Sequence, residues 1–143
     1  MFKHQLFKHT FANERFYLNF LKIQLMNLKE KVEQLNSMIL QGQIMDAFEK
    51  FYHPDVVMQE NNAAPTVGKA ANREREQQMQ AAIEQWHGPE VKGVATGEDT
   101  SMVEWSMDVT YQGGHRAQMN QVAVQRWKDG QIISERFYYN TAG

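Results

Sequence analysis

A helix ends and a strand begins within Phe51-Tyr-His-Pro-Asp-Val-Val-Met-Gln-Glu60. Pro54 disfavours a helical conformation in the residue before it. From Val56 onward the residues alternate between apolar and polar, as in a half-buried strand. The strand finishes on the carboxylate of Glu60, and a loop and a long polar helix follow. Because a carboxylate at the rim of an apolar enclosure can bind a ligand or move a proton, the stretch predicts the edge of a functional pocket.

Composition restricts the classes of function. A chain of 143 residues, 42% hydrophobic and 22% charged, is typical of one soluble globular domain with a sizeable core. Its net charge of −2 gives no general attraction to nucleic acid. The absence of cysteine excludes disulfides, thiol catalysis and thiolate metal sites, and it fits a cytoplasmic location.

The N-terminal stretch differs from the rest. Residues 1–31 carry six Lys/Arg and two Glu, a balance of +4, which leaves −6 for the remainder. The stretch is also rich in aromatic residues, but charged side chains interrupt it before about 20 apolar residues can accumulate, so we expect no membrane span. We predict a basic, aromatic helical extension over residues 1–27 that packs on its own domain or on a partner, and a domain over residues 28–143. Met26 is an alternative natural start.

Three helices are predicted after this extension. The first has one apolar stripe, formed by Leu28, Val32, Leu35 and Ile39. Gly42 ends it, and a second, shorter helix ends before Pro54. The third is predicted over residues 69–86, with a buried stripe of Met79, Ile83 and Trp86 and a stop at Gly88-Pro89. Its charged residues Arg73, Glu74, Arg75 and Glu76 are interpreted as a solvated face.

Four strands are predicted in the C-terminal half, over residues 91–96, 102–111, 116–128 and 131–139. Gly113-Gly114 and Asp129-Gly130 are typical of two-residue hairpin loops. With both loops so assigned, cross-strand partners share a face of the sheet. The predicted inner, apolar face carries Val103, Trp105, Met107, Val109, Tyr111, Gln118, Asn120, Val122, Val124, Ile133, Glu135, Phe137 and Tyr139.

Two predictions follow from these faces. Glu135 lies on the apolar face between Ile133 and Phe137, where burial of a carboxylate is costly, so it is a pocket candidate unless a β-bulge turns it outward. The opposite, mixed face would expose the large side chains Met119, Trp127, Ile132 and Tyr138. Such a surface favours burial against a second copy, so we predict a homodimer through the outer face of the sheet.

The order of elements resembles the nuclear transport factor 2-like cone fold, in particular its SnoaL-like branch of polyketide cyclases, ketosteroid isomerases and epoxide hydrolases. The resemblance rests on residues 40–60, Gly68-Lys-Ala-Ala71 and Trp127-Lys-Asp-Gly-Gln-Ile-Ile-Ser-Glu-Arg-Phe-Tyr-Tyr139, and it covers residues 28–140. It implies an α+β fold in which a cone-shaped, strongly curved, mostly antiparallel sheet wraps around about three helices. It also places Glu60 where the ketosteroid isomerases have their general base, while Leu35 stands at the position of their oxyanion-hole tyrosine.

The candidate catalytic residues are Glu60, as proton acceptor, and Glu135. The alternatives are that Glu60 caps the following loop or faces solvent, and that Glu135 has a structural hydrogen bond with Asn120 or with a helix end. The candidate ligand-binding residues are Met58, Trp105, Asn120, Phe137 and Tyr139, of which the aromatic ones could equally be core.

The predicted partner is a small, apolar molecule with a carbonyl or hydroxyl group, and the leading function is proton abstraction next to a carbonyl, of the isomerase or cyclase type. The rival is a non-catalytic ligand sensor or a dimeric protein-interaction domain. No spacing of histidines and acids indicates a metal, and no phosphate loop or nucleotide fingerprint indicates a cofactor, so neither is expected.

Overall fold

Four helices and seven strands make up the part of the chain that the structure describes. The computed structural model describes the backbone of residues 2–141 and the side chains of residues 11–22 and 26–141. The helices are α1 (Phe2–Leu25), α2 (Leu28–Leu40), α3 (Ile44–Phe51) and α4 (Lys69–Ala82). The strands are β1 (Tyr52–Glu60), β2 (Thr66–Val67), β3 (Ile83–Trp86), β4 (Glu90–Thr96), β5 (Thr100–Tyr111), β6 (Arg116–Lys128) and β7 (Gln131–Tyr139).

Helices α2 and α3 form a pair whose ends are set by local chemistry. The Asn27 side chain accepts a hydrogen bond from the Glu30 amide at 2.9 Å and caps the start of α2. At the other end Gly42 has a φ of 79°, which glycine adopts without strain, and the chain turns into α3. Val32 and Leu35 of α2 and Phe51 of α3 are fully buried in the core that the two helices share with the sheet.

The strands form one curved, unclosed sheet in the order β2-β1-β7-β6-β5-β3, and β4 also pairs with β5. Only the β1–β7 pair is parallel among the described strands; the other pairs are antiparallel. The predicted α+β fold, a strongly curved and mostly antiparallel sheet around helices, is confirmed.

The extension forms helix α1, whose exposed side chains include Phe16, Tyr17 and Leu18. Among the described residues, no helix is long and apolar enough to cross a membrane.

The third predicted helix is shorter than expected. It ends at Ala82, and Ile83–Trp86 forms strand β3, which pairs with the end of β5. Over four residues, the sequence pattern of a helix with one apolar stripe cannot be distinguished from that of a short strand. Here the residues form a strand because they pair with the free edge of β5. Ile83 and Trp86 still face the helices, as part of the sheet.

The register predicted for β6 is wrong by one residue. Thr110 pairs with Arg116, and the Tyr111 amide donates to the His115 carbonyl, so the loop between β5 and β6 has three residues instead of two. Trp105 therefore lies opposite Gln121 instead of Val122. Since neighbouring residues of a strand point to opposite faces, the shift moves every side chain of β6 to the other face.

A β-bulge between β6 and β7 compensates for this error. Asp129-Gly130 is a two-residue loop, as predicted, with Lys128 opposite Gln131. Ile133 is then an extra residue in β7, so that Glu135 lies opposite Gln125 and keeps its place on the inner face. Of the four large side chains predicted to be exposed on the outer face, three are not, because Trp127 and Ile132 are buried and Met119 points inward.

Candidate functional site

A cavity of about 310 Å³ lies between the concave face of the sheet and helices α2, α3 and α4. Its walls are mainly apolar and aromatic: Leu35, Ile39, Ile44, Ala47, Phe48, Met58, Met79, Ile83, Trp86, Trp105, Met107, Tyr111, Met119, Ala123 and Phe137. Its polar lining consists of Tyr52, Glu60, Glu76, Gln80, Gln121, Gln125, Glu135 and Tyr139. The lining thus contains three carboxyl groups and, among the described residues, no Lys, Arg or His. A cavity of this size and polarity is typical of a small-molecule site.

Glu135 is the deepest of the three carboxyl groups, with 3% of its surface exposed. One carboxylate oxygen accepts a hydrogen bond from the Tyr52 hydroxyl at 2.6 Å, and the other accepts one from the Gln125 amide at 2.6 Å. Burial raises the pKa of Glu135, and the hydrogen bonds from Tyr52 and Gln125 act in the opposite direction because they stabilise the ionised form. Burial and the neighbouring Glu135 charge raise the pKa of Tyr52, which therefore stays a hydrogen-bond donor.

Glu76 reaches the same cavity from helix α4, with 8% of its surface exposed. It follows the fully buried Asn72 by four residues and so lies on the same face of the helix. Burial, followed by the charge of Glu135, raises the pKa of Glu76 to about 7. Two carboxylates in one apolar cavity are costly when both are ionised, so Glu76 and Glu135 together retain a proton close to neutral pH.

Glu60 lies at the end of β1, where the cavity opens, and both its oxygens have partners. Arg75 forms a salt bridge with one, and the Tyr139 hydroxyl donates to the other at 2.6 Å. The hydrogen bond to Glu60 raises the pKa of Tyr139 to about 12. An ionised carboxylate held by a guanidinium and a phenol is better suited to binding a ligand hydroxyl than to removing a proton.

Six of the seven residues predicted for the site line this cavity: Met58, Glu60, Trp105, Glu135, Phe137 and Tyr139. Asn120 does not. It pairs with Ser106 on the outer face and is exposed, because the three-residue loop reverses the faces of β6. The glutamines Gln121 and Gln125 occupy the inner positions instead, and the structural partner of Glu135 is Gln125 rather than Asn120.

The sequence analysis missed Glu76, which was assigned to a solvated face. The signal was present, since Glu76 precedes Met79 by three residues and Ile83 by seven, the spacing of the stripe that was predicted to be buried. Tyr52 was also missed. It follows directly on α3, and its position became visible only once β1 and β7 were seen to pair.

The sequence matches the family model of the SnoaL-like domain over residues 26–139. The chain therefore belongs to the SnoaL-like family of nuclear transport factor 2-like folds, and the predicted resemblance is confirmed. A search of the curated proteins found no significant match.

Several solved structures share the fold. A protein from Mesorhizobium loti, provisionally described as a SnoaL-like polyketide cyclase, is 30% identical, with a TM-score of 0.73 over 80% of this chain and 100% of its own. A nuclear transport factor 2-like protein of unknown function from Burkholderia pseudomallei is 13% identical, with a TM-score of 0.70 over 81% of this chain and 92% of its own. A protein from Bacillus subtilis, provisionally described as an isomerase, is 21% identical, with a TM-score of 0.62 over 80% and 90%.

Proposed function

We propose that the cavity binds a small, mostly apolar molecule and catalyses proton transfer at the carbon next to a carbonyl group. The observation that carries the proposal is the pair of buried carboxyl groups, Glu76 and Glu135, in one apolar cavity. Environments that give two carboxyl groups different proton affinities are the usual basis of acid and base roles in one site. The similarity to proteins provisionally described as a cyclase and an isomerase supports the same class of chemistry.

The two carboxyl groups take different roles in this proposal. Glu135 is the base, because two donated hydrogen bonds favour its ionised form while burial keeps its proton affinity above that of an exposed glutamate. Glu76, whose pKa is about 7, is the neutral partner and donates a hydrogen bond to the carbonyl oxygen as the enolate forms. Glu60 binds a hydroxyl group of the ligand at the entrance. The apolar body of the ligand is surrounded by Met58, Trp105, Phe137 and Tyr139.

The lining also defines the charge of the ligand. In this proposal Glu135 is ionised, Glu76 is neutral and the charge of Glu60 is paired with Arg75. The cavity therefore carries negative charge at Glu135, which repels an anion and accepts hydrogen bonds from a neutral ligand. We therefore propose an uncharged substrate, a ketone that also bears a hydroxyl or enol group.

A ketone that fits the cavity tests the activity and the ligand charge together. We expect the wild-type protein to accelerate exchange of the α-protons of 2-tetralone in D₂O, followed by proton NMR, over a solution of free glutamate at equal concentration. We expect 2-naphthalenemethanol to inhibit this exchange, and the isosteric anion 2-naphthoate to need at least about tenfold higher concentration, because the ionised Glu135 carboxylate repels it. No acceleration with any small cyclic ketone would contradict the proposed activity, and inhibition by naphthoate at equal concentration would contradict the ligand class.

We also propose that the protein is a cytoplasmic homodimer formed through the outer face of the sheet. After correction of the register, that face presents two adjacent cross-strand pairs, Met102 with Val124 and Val122 with Tyr138. Met102 and Tyr138 are each 44% exposed on a broad surface. These side chains form an apolar stripe across the sheet, bordered by Glu104 and Arg136, and such a stripe favours burial against a second copy.

Size-exclusion chromatography with light scattering tests the dimer. Wild-type protein should elute with the mass of two chains, and Val122→Glu should elute as one, because the substitution would bury a charge in the interface. Val67→Glu, which changes a 67% exposed valine on the distant edge strand β2, is the matched control and should remain a dimer. A monomeric wild-type protein would contradict the proposal.

A further inference from the structure

A chain of hydrogen bonds runs behind the cavity and ends on Glu135. The Trp127 indole donates to the Ser101 hydroxyl oxygen at 2.8 Å, the Ser101 hydroxyl donates to the Gln125 carbonyl oxygen at 2.6 Å, and the Gln125 amide donates to Glu135 at 2.6 Å. All four residues are at most 8% exposed. Since neither Trp127 nor Ser101 lines the cavity, the function proposed above assigns them no role.

The donor properties of the side chains fix the direction of this chain. An indole N–H can only donate a hydrogen bond, so Ser101 must accept from Trp127. The remaining bond of Ser101 joins it to Gln125, and its hydroxyl proton is satisfied only if it donates there. Gln125 then turns its carbonyl towards Ser101 and its NH₂ group towards Glu135. The reversed arrangement would leave the hydroxyl proton of the fully buried Ser101 without an acceptor, which costs free energy.

We propose that Trp127 is a positioning residue that sets the direction of these hydrogen bonds and thereby holds Glu135 as an acceptor at the carboxylate oxygen that faces Gln125, while Tyr52 donates to the other oxygen. A carboxyl group that can only accept hydrogen bonds is held in its ionised, basic form. That Trp127 contributes to proton transfer rests on the proposed function, whereas its effect on the ionisation of Glu135 does not. Of the described residues, the charged and titratable groups that face Glu135 are Tyr52 from β1 and Arg75 and Glu76 from α4, and none of them depends on Trp127.

Trp127→Phe removes the indole N–H and keeps an aromatic ring. Ser101 is then free to accept from Gln125, the Gln125 carbonyl can turn towards Glu135, and the protonated form of Glu135 gains an acceptor. We expect the pKa of Glu135 to rise by about one unit, a tenfold change in its ionisation constant. Ser101→Ala should raise it in the same direction because it breaks the next link, and Ser101→Thr, which restores a hydroxyl, should return it towards the wild-type value.

NMR titration of protein labelled with ¹³C at the glutamate carboxyl carbons measures this pKa directly, with Glu135→Gln to assign the signal. Phe51→Leu is the matched control, because Phe51 packs edge-on against the Trp127 ring with centroids 6.2 Å apart and is fully buried, but takes no part in the hydrogen bonds. It should lower stability without moving the Glu135 titration.

The proposal is overturned if folded Trp127→Phe and Ser101→Ala proteins both titrate Glu135 within about 0.3 units of wild type, or if Phe51→Leu shifts it as much as they do. If Trp127→Phe does not fold, the Ser101 pair decides alone. The titration needs no substrate. Failure of ketone exchange would therefore leave this result standing, and an unmoved titration would leave the proposed function standing.

Discussion

Glu135→Gln should reduce the proposed exchange of ketone α-protons by at least about 100-fold, the usual contribution of a general base. The amide has almost the same shape as the carboxyl group, so the packing of the cavity walls is preserved. It has no basic oxygen comparable with a carboxylate, however, and it brings an NH₂ group towards Tyr52 or Gln125, both of which are donors in the structure. The loss should appear in kcat, because the base acts in the transition state.

The structure provides matched controls for this substitution. Glu74→Gln makes the same chemical change at an exposed position of α4 and should leave the exchange rate unaltered. Glu60→Gln should raise KM more than it lowers kcat, because Glu60 binds a hydroxyl group in the proposal and removes no proton. A Glu135→Gln protein that is folded and fully active, with Glu60→Gln inactive, would instead make Glu60 the base, as the resemblance to the isomerases implied.

The sequence was sufficient for the fold because the signals behind it are local and redundant. Each element has its own signal: a proline after an apolar helix, a glycine-containing turn, or the change of hydrophobic period from 3.6 to 2. An error of a few residues in one element therefore does not change the prediction of the next. The register of β6 rested instead on a single loop length. Gly113-Gly114 is compatible with loops of two and of three residues, and the sequence alone does not decide between them.

The agreement between the predicted and the observed faces of the sheet was accidental in part. The three-residue loop and the bulge at Ile133 each shift the register by one residue, in compensating directions. The faces of β5 and of β7 after the bulge were therefore correct, while Ile132 before the bulge and all of β6 were reversed. A β-bulge has no clear signature in the sequence, since Ile133 is as compatible with regular strand as its neighbours. Glu135 was therefore placed correctly, while Asn120 and Trp127 were not.

Glu76 was missed for a different reason. Within Arg73-Glu-Arg-Glu76, polar composition predicts exposure for all four residues, and this prediction outweighed the helical spacing that places Glu76 on the stripe of Met79 and Ile83. Buried carboxyl groups are rare because their ionised form is poorly solvated, so a rule based on composition assigns them to the surface. The residues that carry out proton transfer are for this reason the ones that such a rule tends to misplace.

Relative to wild type, Glu76→Gln should gain free energy of unfolding as the pH is raised from 5 to 8. Glu76 has its pKa raised from 4.5 to about 7 in the folded state, so the folded protein binds more protons than the unfolded chain between these values. Stability therefore falls as the pH rises through this window and is constant above it. The wild-type protein thereby loses about 3 kcal/mol of its free energy of unfolding, at about 1.4 kcal/mol per pKa unit. The Glu76→Gln variant does not lose it, because the amide does not ionise.

Urea denaturation of wild type, Glu76→Gln and Glu74→Gln at pH 5 and pH 8 measures this effect. The free energy of unfolding of Glu76→Gln relative to wild type should rise by about 2 to 3 kcal/mol from the lower to the higher pH, while that of Glu74→Gln should not change. Glu135 is present in all three proteins and its titration is coupled to that of Glu76, so the comparison measures the titration of the pair against that of Glu135 alone. An equal difference at both pH values would show that Glu76 titrates as an exposed glutamate does, and the site would then lack the neutral proton donor that the proposed reaction requires.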